Sequence, residues 1–400
     1  MTHYPAVSLK RGKEESVLRR HPWIFSGAVK SLPPGLAEGD TVSVLASDGT
    51  PLGTGYYQIG SIAVRMYSFS ARTIDTAFFC HRIAAALRLR RALGLVREDN
   101  NALRLVHGEG DRLPGLVVDL FGATAVVQAH TVAMHRQRQA VADALKDVLG
   151  DALHAVYYKS EGTLPFKANT GAKDGYLLGG EEEGGEADSV ALENGLRFRI
   201  DWLEGQKTGF FVDQRDNRDL LRRYAQGRNV LNMCCYTGGF SVYALAGGAE
   251  RVCSVDSSSR AVELTDENVR LNFPDTDRHE AVEADAFRFL QDGGAKKYDL
   301  VVLDPPAFAK HRDAVPQALR GYTRLNELAL RHMPAGSLLF TFSCSQAVSR
   351  QQFRLAVFTA AARTRRHVSI LHQLTQPADH PVSIYHPEGE YLKGLVLYVE

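Results

Sequence analysis

The chain is short of cysteine, of net charge and of long apolar runs. Five cysteines stand among 400 residues, at positions 80, 234, 235, 253 and 344. Their number is odd and no two are spaced C-x-x-C, so neither a disulfide framework nor a cysteine zinc site is supported. Reduced thiols point to a cytosolic protein. Lys and Arg number 47 against 46 Asp and Glu, a net charge of +1. The whole chain is therefore no polycation, and any nucleic-acid binding must come from local patches. The most apolar stretch, 115–129, is broken by Asp119 and Phe121-Gly122. It falls short of the ~18–20 apolar residues that a membrane helix needs. Residues 1–15 hold no apolar core of signal-peptide length, and no internal repeat is visible.

What is there suits a folded protein: 44% hydrophobic, 23% charged, 35 Gly and 15 Pro. A disordered chain and a collagen repeat are excluded. At ~150 residues per domain, this length predicts two or three domains. The first, 1–75, reads as all-β, with strands at Thr41–Ala46 and Ile62–Tyr67 and an Asp48-Gly49 turn after the first. Lys10, Arg11, Lys13, Arg19 and Arg20 precede the aromatic His21-Pro22-Trp23-Ile24-Phe25. Basic residues beside aromatics point to RNA binding; Trp23 and Phe25 are either stacking platforms or core.

The second domain, 76–190, reads as α+β. A helix follows Asp75, with Phe79, Ile83, Ala86 and Leu87 on one face and Arg82, Arg88, Arg90 and Arg91 decorating it. A hairpin turns at Phe121-Gly122, a helix carries Val141, Ala144, Leu145 and Val148 as far as Gly150, and Ala155–Tyr158 is a strand. The run 179–186, GGEEEGGE, reads as a solvated linker or loop. From 191 to 400 strands alternate with helices, the strands at Asn229–Asn232, Arg251–Val255, Leu300–Leu303 and Ser337–Phe342. That predicts an α/β, doubly wound, mostly parallel sheet with ligands at the strand C-termini.

The chemistry gathers at those strand ends. Cys235-Tyr236-Thr237-Gly238-Gly239-Phe240 is a tight glycine loop between a strand and a helix. The next strand ends at Asp256, eighteen residues after Gly238, where a carboxylate can accept from ribose hydroxyls. A dinucleotide dehydrogenase fits this much, but the loop is not G-x-G-x-x-G. A third strand, His279–Ala284, ends at Asp285, an acceptor for an adenine amine. The fourth ends in Asp304-Pro305-Pro306-Ala307-Phe308, where two prolines stiffen the loop and hold its acid and its aromatic. The fifth leads into Ser343-Cys344-Ser345, a thiol on the ligand edge with small neighbours, placed as a nucleophile. The other four cysteines read as structural. Upstream, 205–215 interleaves polar and aromatic residues as a lid over a zwitterionic ligand would. Arg215, Arg218, Arg222 and Arg223 serve that ligand or form a solvated helix face.

These residues together resemble the class I S-adenosylmethionine-dependent RNA methyltransferases, and among them those that make 5-methylcytosine in 23S rRNA. The resemblance is carried by VLNMCCYTGGFSVYALAGGAERVCSVDSSS, ADAFRFL, DLVVLDPPAFAK, FTFSCS and GQKTGFFVDQRDNR. LKRGKEESVLRRHPWIFSGAV resembles the family's N-terminal PUA domain, an RNA-binding β-barrel, and DHPV and PEGEYLKGLVLYV match near the end. The resemblance implies S-adenosylmethionine as cofactor, with Asn232, Tyr236, Thr237 and Gly238 lining its methionine part. Asp256 and Ser257 would hold the ribose, Asp285 and Ala286 the adenine, and Thr208, Asp213 and Gln214 would sit over the methionine end. Asp304 would face the base and Cys344 would be the nucleophile. Lys10, Arg11, Arg19, Arg20, Trp23 and Phe308 would contact RNA. A second cysteine, which many RNA cytosine-C5 methyltransferases carry in the fourth-strand loop, is replaced here by Asp304-Pro305-Pro306. The group that removes the C5 proton therefore has no candidate.

The implied partner is 23S rRNA or a large-subunit assembly intermediate. No metal and no membrane are implied, and a homodimer is left open. Three rivals share the scaffold. A guanine-N7 or exocyclic-amine methyltransferase would use the D-P-P-x-F loop without a cysteine. A small-molecule methyltransferase or NAD enzyme would use the front domains as lids. A non-enzymatic RNA-binding protein would have no use for Asp256, Asp285, Asp304 and Cys344.

Overall fold

A computed structural model describes residues 4–165, 170–180 and 189–400. Most of the expected GGEEEGGE linker, 181–186, lies outside the described residues. The chain folds as two units. One comprises Met1–Leu192, Ile200–Val212 and Ala378–Gly389; the other comprises Glu193–Arg199, Asp213–Pro377 and Glu390–Glu400.

The first unit opens with a six-stranded sheet of β1 (Ala6–Leu9), β2 (Trp23–Phe25), β3 (Val29–Ser31), β4 (Thr41–Leu45), β5 (Pro51–Tyr57) and β6 (Ile62–Ser68), in the order β2-β6-β5-β4-β1-β3. A one-turn helix, α1 (Glu15–Leu18), follows β1. Alternation along β4 sends Val42 and Val44 into a core with Val7, Ile24, Val64 and Met66. A second sheet holds β7 (Ala102–His107), β8 (Leu116–Phe121), β9 (Thr124–Ala129), β10 (Ala155–Tyr158) and β11 (Gly175–Leu178), in the order β11-β10-β9-β8-β7. Helices α2 (Thr76–Ala92), α3 (Val132–Arg136) and α4 (Arg138–Leu149) accompany it. Asp75 caps α2 by accepting the Phe78 N–H at 2.9 Å, and Phe79, Ile83, Ala86 and Leu87 are buried as the periodicity predicts. Tyr56, Tyr67 and Ile74, from the first 75 residues, lie in this second core as well.

Arg90 overturns its sequence reading. It is not a surface decoration of α2 but fully buried. All five guanidinium donors are taken. Two go to Asp111 at 2.6 and 2.8 Å, and the others to the carbonyls of Arg104 at 2.8 Å, Asp379 at 2.6 Å and Ala86 at 3.5 Å. A buried cation is tolerated when it is paired and every donor is satisfied. The returning segment 378–389 is held here. Asp379 Oδ2 accepts the Arg104 N–H at 3.0 Å, and a Cβ on Gly110 would come within 1.8 Å of the Pro381 carbonyl oxygen.

A short hairpin, β12 (Val190–Glu193) and β13 (Leu196–Arg199), leads into the second unit. There β14 (Asn229–Met233), β15 (Arg251–Asp256), β16 (His279–Glu283), β17 (Leu300–Leu303), β18 (Ser337–Ser343), β19 (Val368–Thr375) and β20 (Lys393–Val399) form one sheet of order β16-β15-β14-β17-β18-β20-β19. The first five are mutually parallel, and β20 runs antiparallel to both β18 and β19. The connecting helices are α5 (Arg215–Tyr224), α6 (Gly239–Ala246), α7 (Ser259–Asn272), α8 (Ala286–Gln291), α9 (Val315–His332) and α10 (Arg350–Thr364). This is the expected doubly wound sheet. Chain order reverses between β14 and β17, which opens a crevice at their C-terminal ends. Among the described residues no helix is long and apolar enough to cross a membrane.

Candidate active site at the sheet switch point

The loop after β14 is built from strained backbone. Cys234 and Tyr236 have φ of 58° and 48°, in the left-handed region that non-glycine residues avoid, and Gly238 follows at 75°. A Cβ on Gly238 would come within 2.6 Å of Thr265 Cγ2, so packing as well as φ demands the glycine. Asp256, at the end of β15, fixes the loop. Its Oδ2 accepts the Tyr236 N–H at 3.0 Å and its Oδ1 the Ser258 N–H at 3.1 Å. A carboxylate has about four lone-pair sites, so capacity for hydroxyl donors remains. Asn232 is buried with its Nδ2 on Ser241 Oγ at 2.8 Å, while its Oδ1 has no partner. An unsatisfied buried acceptor is suited to a cationic donor such as an α-ammonium. Thr237 is buried, and its carbonyl takes Asn268 Nδ2 at 2.8 Å. Ser257 is exposed after β15; Asp285 is exposed after β16, capping α8 through the Arg288 N–H at 2.9 Å, with Ala286 opening that helix. These donors and acceptors suit a ligand with ammonium, ribose and adenine parts, which is the chemistry of S-adenosylmethionine.

Across the crevice, Asp304 follows β17 and Cys344 follows β18, on adjacent parallel strands. Gln214 Nε2 donates to Asp304 Oδ2 at 2.9 Å, and Asn217 Nδ2 orients that amide by donating to Gln214 Oε1 at 2.6 Å. Burial, reinforced by the negative charge of Asp213, pushes the Asp304 carboxyl up to about 7. It therefore holds or releases a proton near neutrality. The loop around Cys344 is pinned on both sides. Ser343 Oγ donates to Tyr322 Oη at 2.9 Å, and Ser345 Oγ donates to the Ala309 carbonyl at 2.5 Å. Burial first, then Asp304 and Asp213, push the half-buried Cys344 thiol up to about 12. The thiol is thus protonated at rest. Burial also raises Cys234, Cys235 and Cys253 to about 12 each.

The other sequence-derived residues fall as follows. Asp213 accepts from Tyr391 Oη at 2.7 Å. Thr208 belongs to the first unit, where it is buried and its hydroxyl donates to Asp119 at 2.7 Å. Lys10, Arg11, Arg19 and Arg20 are exposed on the first unit. Lys10 Nζ reaches the Gly27 carbonyl at 2.9 Å, and Arg19 pairs with Glu15 at 2.5 Å. Trp23 is held within the protein. Its Nε1 donates to Glu109 at 2.7 Å, Arg65 lies 4.7 Å from its ring centroid and His386 4.3 Å. Phe25 remains exposed. Phe308 packs on Tyr322, centroids 4.6 Å apart, and supports the Asp304 loop.

The arginine helix divides. Arg222 and Arg223 pair with Asp219 on the surface, whereas Arg215 and Arg218 are buried against Glu193. Arg218 grips that carboxylate at 2.9 and 2.7 Å. The solvated-face reading therefore fails for those two. Tyr391 and Lys393 escaped sequence reasoning. Lys393 opens β20 and Tyr391 lies two residues before it; the topology lays that strand beside β18, which leads into Cys344. A lysine leading an otherwise apolar strand was the available signal.

Comparison with known proteins follows the same outline. A family model described as S-adenosylmethionine-dependent methyltransferase matches residues 104–387, and one described as PUA-like domain matches residues 7–69. The chain is 39% identical over 399 residues to ribosomal RNA large subunit methyltransferase I of Erwinia tasmaniensis, covering 98% of each. It is 38% identical over 399 residues to the protein of that name from Escherichia coli, again covering 98% of each. A solved SAM-dependent methyltransferase from Streptococcus mutans shares the fold, with a TM-score of 0.83 at 22% identity over 98% of this chain and 99% of that one. A methyltransferase complexed with SAH also shares it, with a TM-score of 0.83 at 22% identity over 99% of this chain and all of that one.

Proposed function

The chain belongs to the S-adenosylmethionine-dependent methyltransferase family, and from that premise we propose that it forms 5-methylcytosine in 23S rRNA through a covalent Cys344–C6 adduct. The observation that carries this reading is the pairing of Cys344 with Asp304 at the C-terminal ends of adjacent parallel strands, across the switch point from Asp256. S-adenosylmethionine supplies an electrophilic methyl group when bound. Asn232, Tyr236, Thr237 and Gly238 would hold its methionine end with Asp213 and Gln214; Asp256 and Ser257 would hold the ribose, and Asp285 and Ala286 the adenine, whereas Thr208, engaged with Asp119 in the first unit, is left out of this set.

Cytosine C5 is too weak a nucleophile to take a methyl unaided. In this reading Cys344 loses its proton and Sγ adds to C6, which places an electron pair at C5. That pair would attack the sulfonium methyl, forming the carbon–carbon bond as the methyl carbon–sulfur bond breaks and its electron pair stays on sulfur, which leaves as a neutral thioether. Loss of the C5 proton then returns electrons to the ring and expels the thiolate. Asp304, titrating near 7, donates a hydrogen bond to N3 when protonated and spreads the charge of the adduct. Lys10, Arg11, Arg19 and Arg20 contact phosphates, and Trp23 and Phe308 support the RNA-facing loops. No observation supports the homodimer that the sequence leaves open.

Two experiments follow. The purified chain, given unmodified 23S rRNA and labelled cofactor, should leave its methyl group at a bisulfite-resistant cytosine. Label on a guanine or an exocyclic amine would replace this reading with the non-covalent rival. Separately, Asp256→Ala should weaken cofactor binding by roughly 1–3 kcal/mol, because ribose hydroxyls lose a charged acceptor. Isothermal calorimetry with unchanged affinity would remove Asp256 from the site.

A further inference from the structure

Cys344 sits in acidic surroundings that oppose its ionisation. Asp304 and Asp213 are the carboxylates that act on it, and the Tyr322 hydroxyl lies nearby. A cation that opposes them at the thiol is Lys393. Lys393 opens β20 and stands in register opposite Ser343 on β18, one residue before the thiol. Its side chain is buried, and Nζ donates to the carbonyls of Ser345 and Val348, both at 2.6 Å. Both acceptors belong to the turn that carries Cys344. An ammonium has three N–H donors, so one is not used by these carbonyls. Burying a lysine is costly and shifts it toward the neutral form. The two carbonyls alone would be served as well by a neutral amide, which would avoid burying a charge.

We propose that Lys393 is a positioning residue for Cys344, supplying from the loop's own carbonyl anchor the positive charge that stabilises the thiolate. This rests on the reading of Cys344 as the nucleophile. Lys393 itself touches no reacting atom in this account and works through the thiol. Around Lys393 the charged groups are Arg350 and Glu390, which lie 4.0 Å apart and largely offset each other. Burial lowers Lys393 to about 8, so its charge is present at neutral pH and is lost just above it.

The test is alkylation of Cys344 by iodoacetamide against pH in the full-length chain, read by mass spectrometry so that the other four cysteines are resolved. Lys393→Gln keeps two N–H donors for the carbonyls and removes the charge; Lys393→Arg keeps the charge. Alkylation at neutral pH should slow about tenfold or more in Lys393→Gln, and Lys393→Arg should stay within about threefold of wild type. Methyl transfer should fall in kcat with cofactor KM unchanged. A Lys393→Gln chain that melts like wild type and alkylates like wild type overturns the proposal. Should that variant not fold, the wild-type profile decides. Loss of the lysine charge near pH 8 must flatten the thiol titration above that pH, and a plain single-group curve is the overturning result. Methyl transfer surviving in Cys344→Ala would instead overturn the covalent reading, whatever Lys393 does.

Discussion

Cys344→Ala is expected to abolish methyl transfer to 23S rRNA while the chain still folds and still binds S-adenosylmethionine. The thiol stands at the β18 end of the crevice, one strand from Asp304, whereas the Asn232–Gly238 loop and Asp256, to which cofactor binding is assigned in the proposed reading, follow β14 and β15. Its removal deletes the only group in that loop able to add to C6. Cytosine C6 is shielded in a paired, stacked helix, so the base must leave the stack before the thiol can reach it. Cys344→Ser should be nearly as inactive, because an alkoxide forms far less readily than a thiolate, above all next to two carboxylates. Tritiated-methyl incorporation gives the rate, and RNA carrying 5-fluorocytosine should trap a denaturant-stable adduct with wild type and none with Cys344→Ala. Turnover of Cys344→Ala within several-fold of wild type would end the covalent mechanism.

The second large effect concerns stability. Arg90→Met should destabilise the first unit by about 3–5 kcal/mol, since it leaves the Asp111 carboxylate buried with its cation gone. It also strands the carbonyls of Arg104 and Asp379, and the latter belongs to the segment returning from the far end of the chain. The double substitution Arg90→Met with Asp111→Leu should recover much of the loss, because two apolar side chains leave no uncompensated charge. Recovery should stay partial, since Asp111 Oδ2 also accepts the His107 N–H at 2.6 Å. Urea unfolding followed by circular dichroism measures all three chains. A midpoint for Arg90→Met indistinguishable from wild type would mean that the pair contributes nothing.

The local rules were legible without coordinates. Alternation in 41–45, the 3.6-residue spacing of Phe79, Ile83 and Leu87, and the apolar runs that became β14, β15, β17 and β18 each follow from which side chains avoid water within a few residues. So does the position of Asp256, Asp285, Asp304 and Cys344 at strand ends, because a parallel α/β sheet puts every such end on one edge. Tertiary structure alone decided the long-range partners. Nothing near Arg90 in sequence distinguishes it from Arg88 or Arg91; it is buried because Asp111 and Asp379 arrive to take its donors. Arg218 likewise leaves the solvated face because Glu193 meets it from 25 residues upstream. Lys393 acquires a relation to Cys344 only when β20 folds antiparallel onto β18, 49 positions after the thiol. Periodicity reports which face of an element is buried, but a buried charge is decided by its counter-charge, and no local pattern encodes where that will come from.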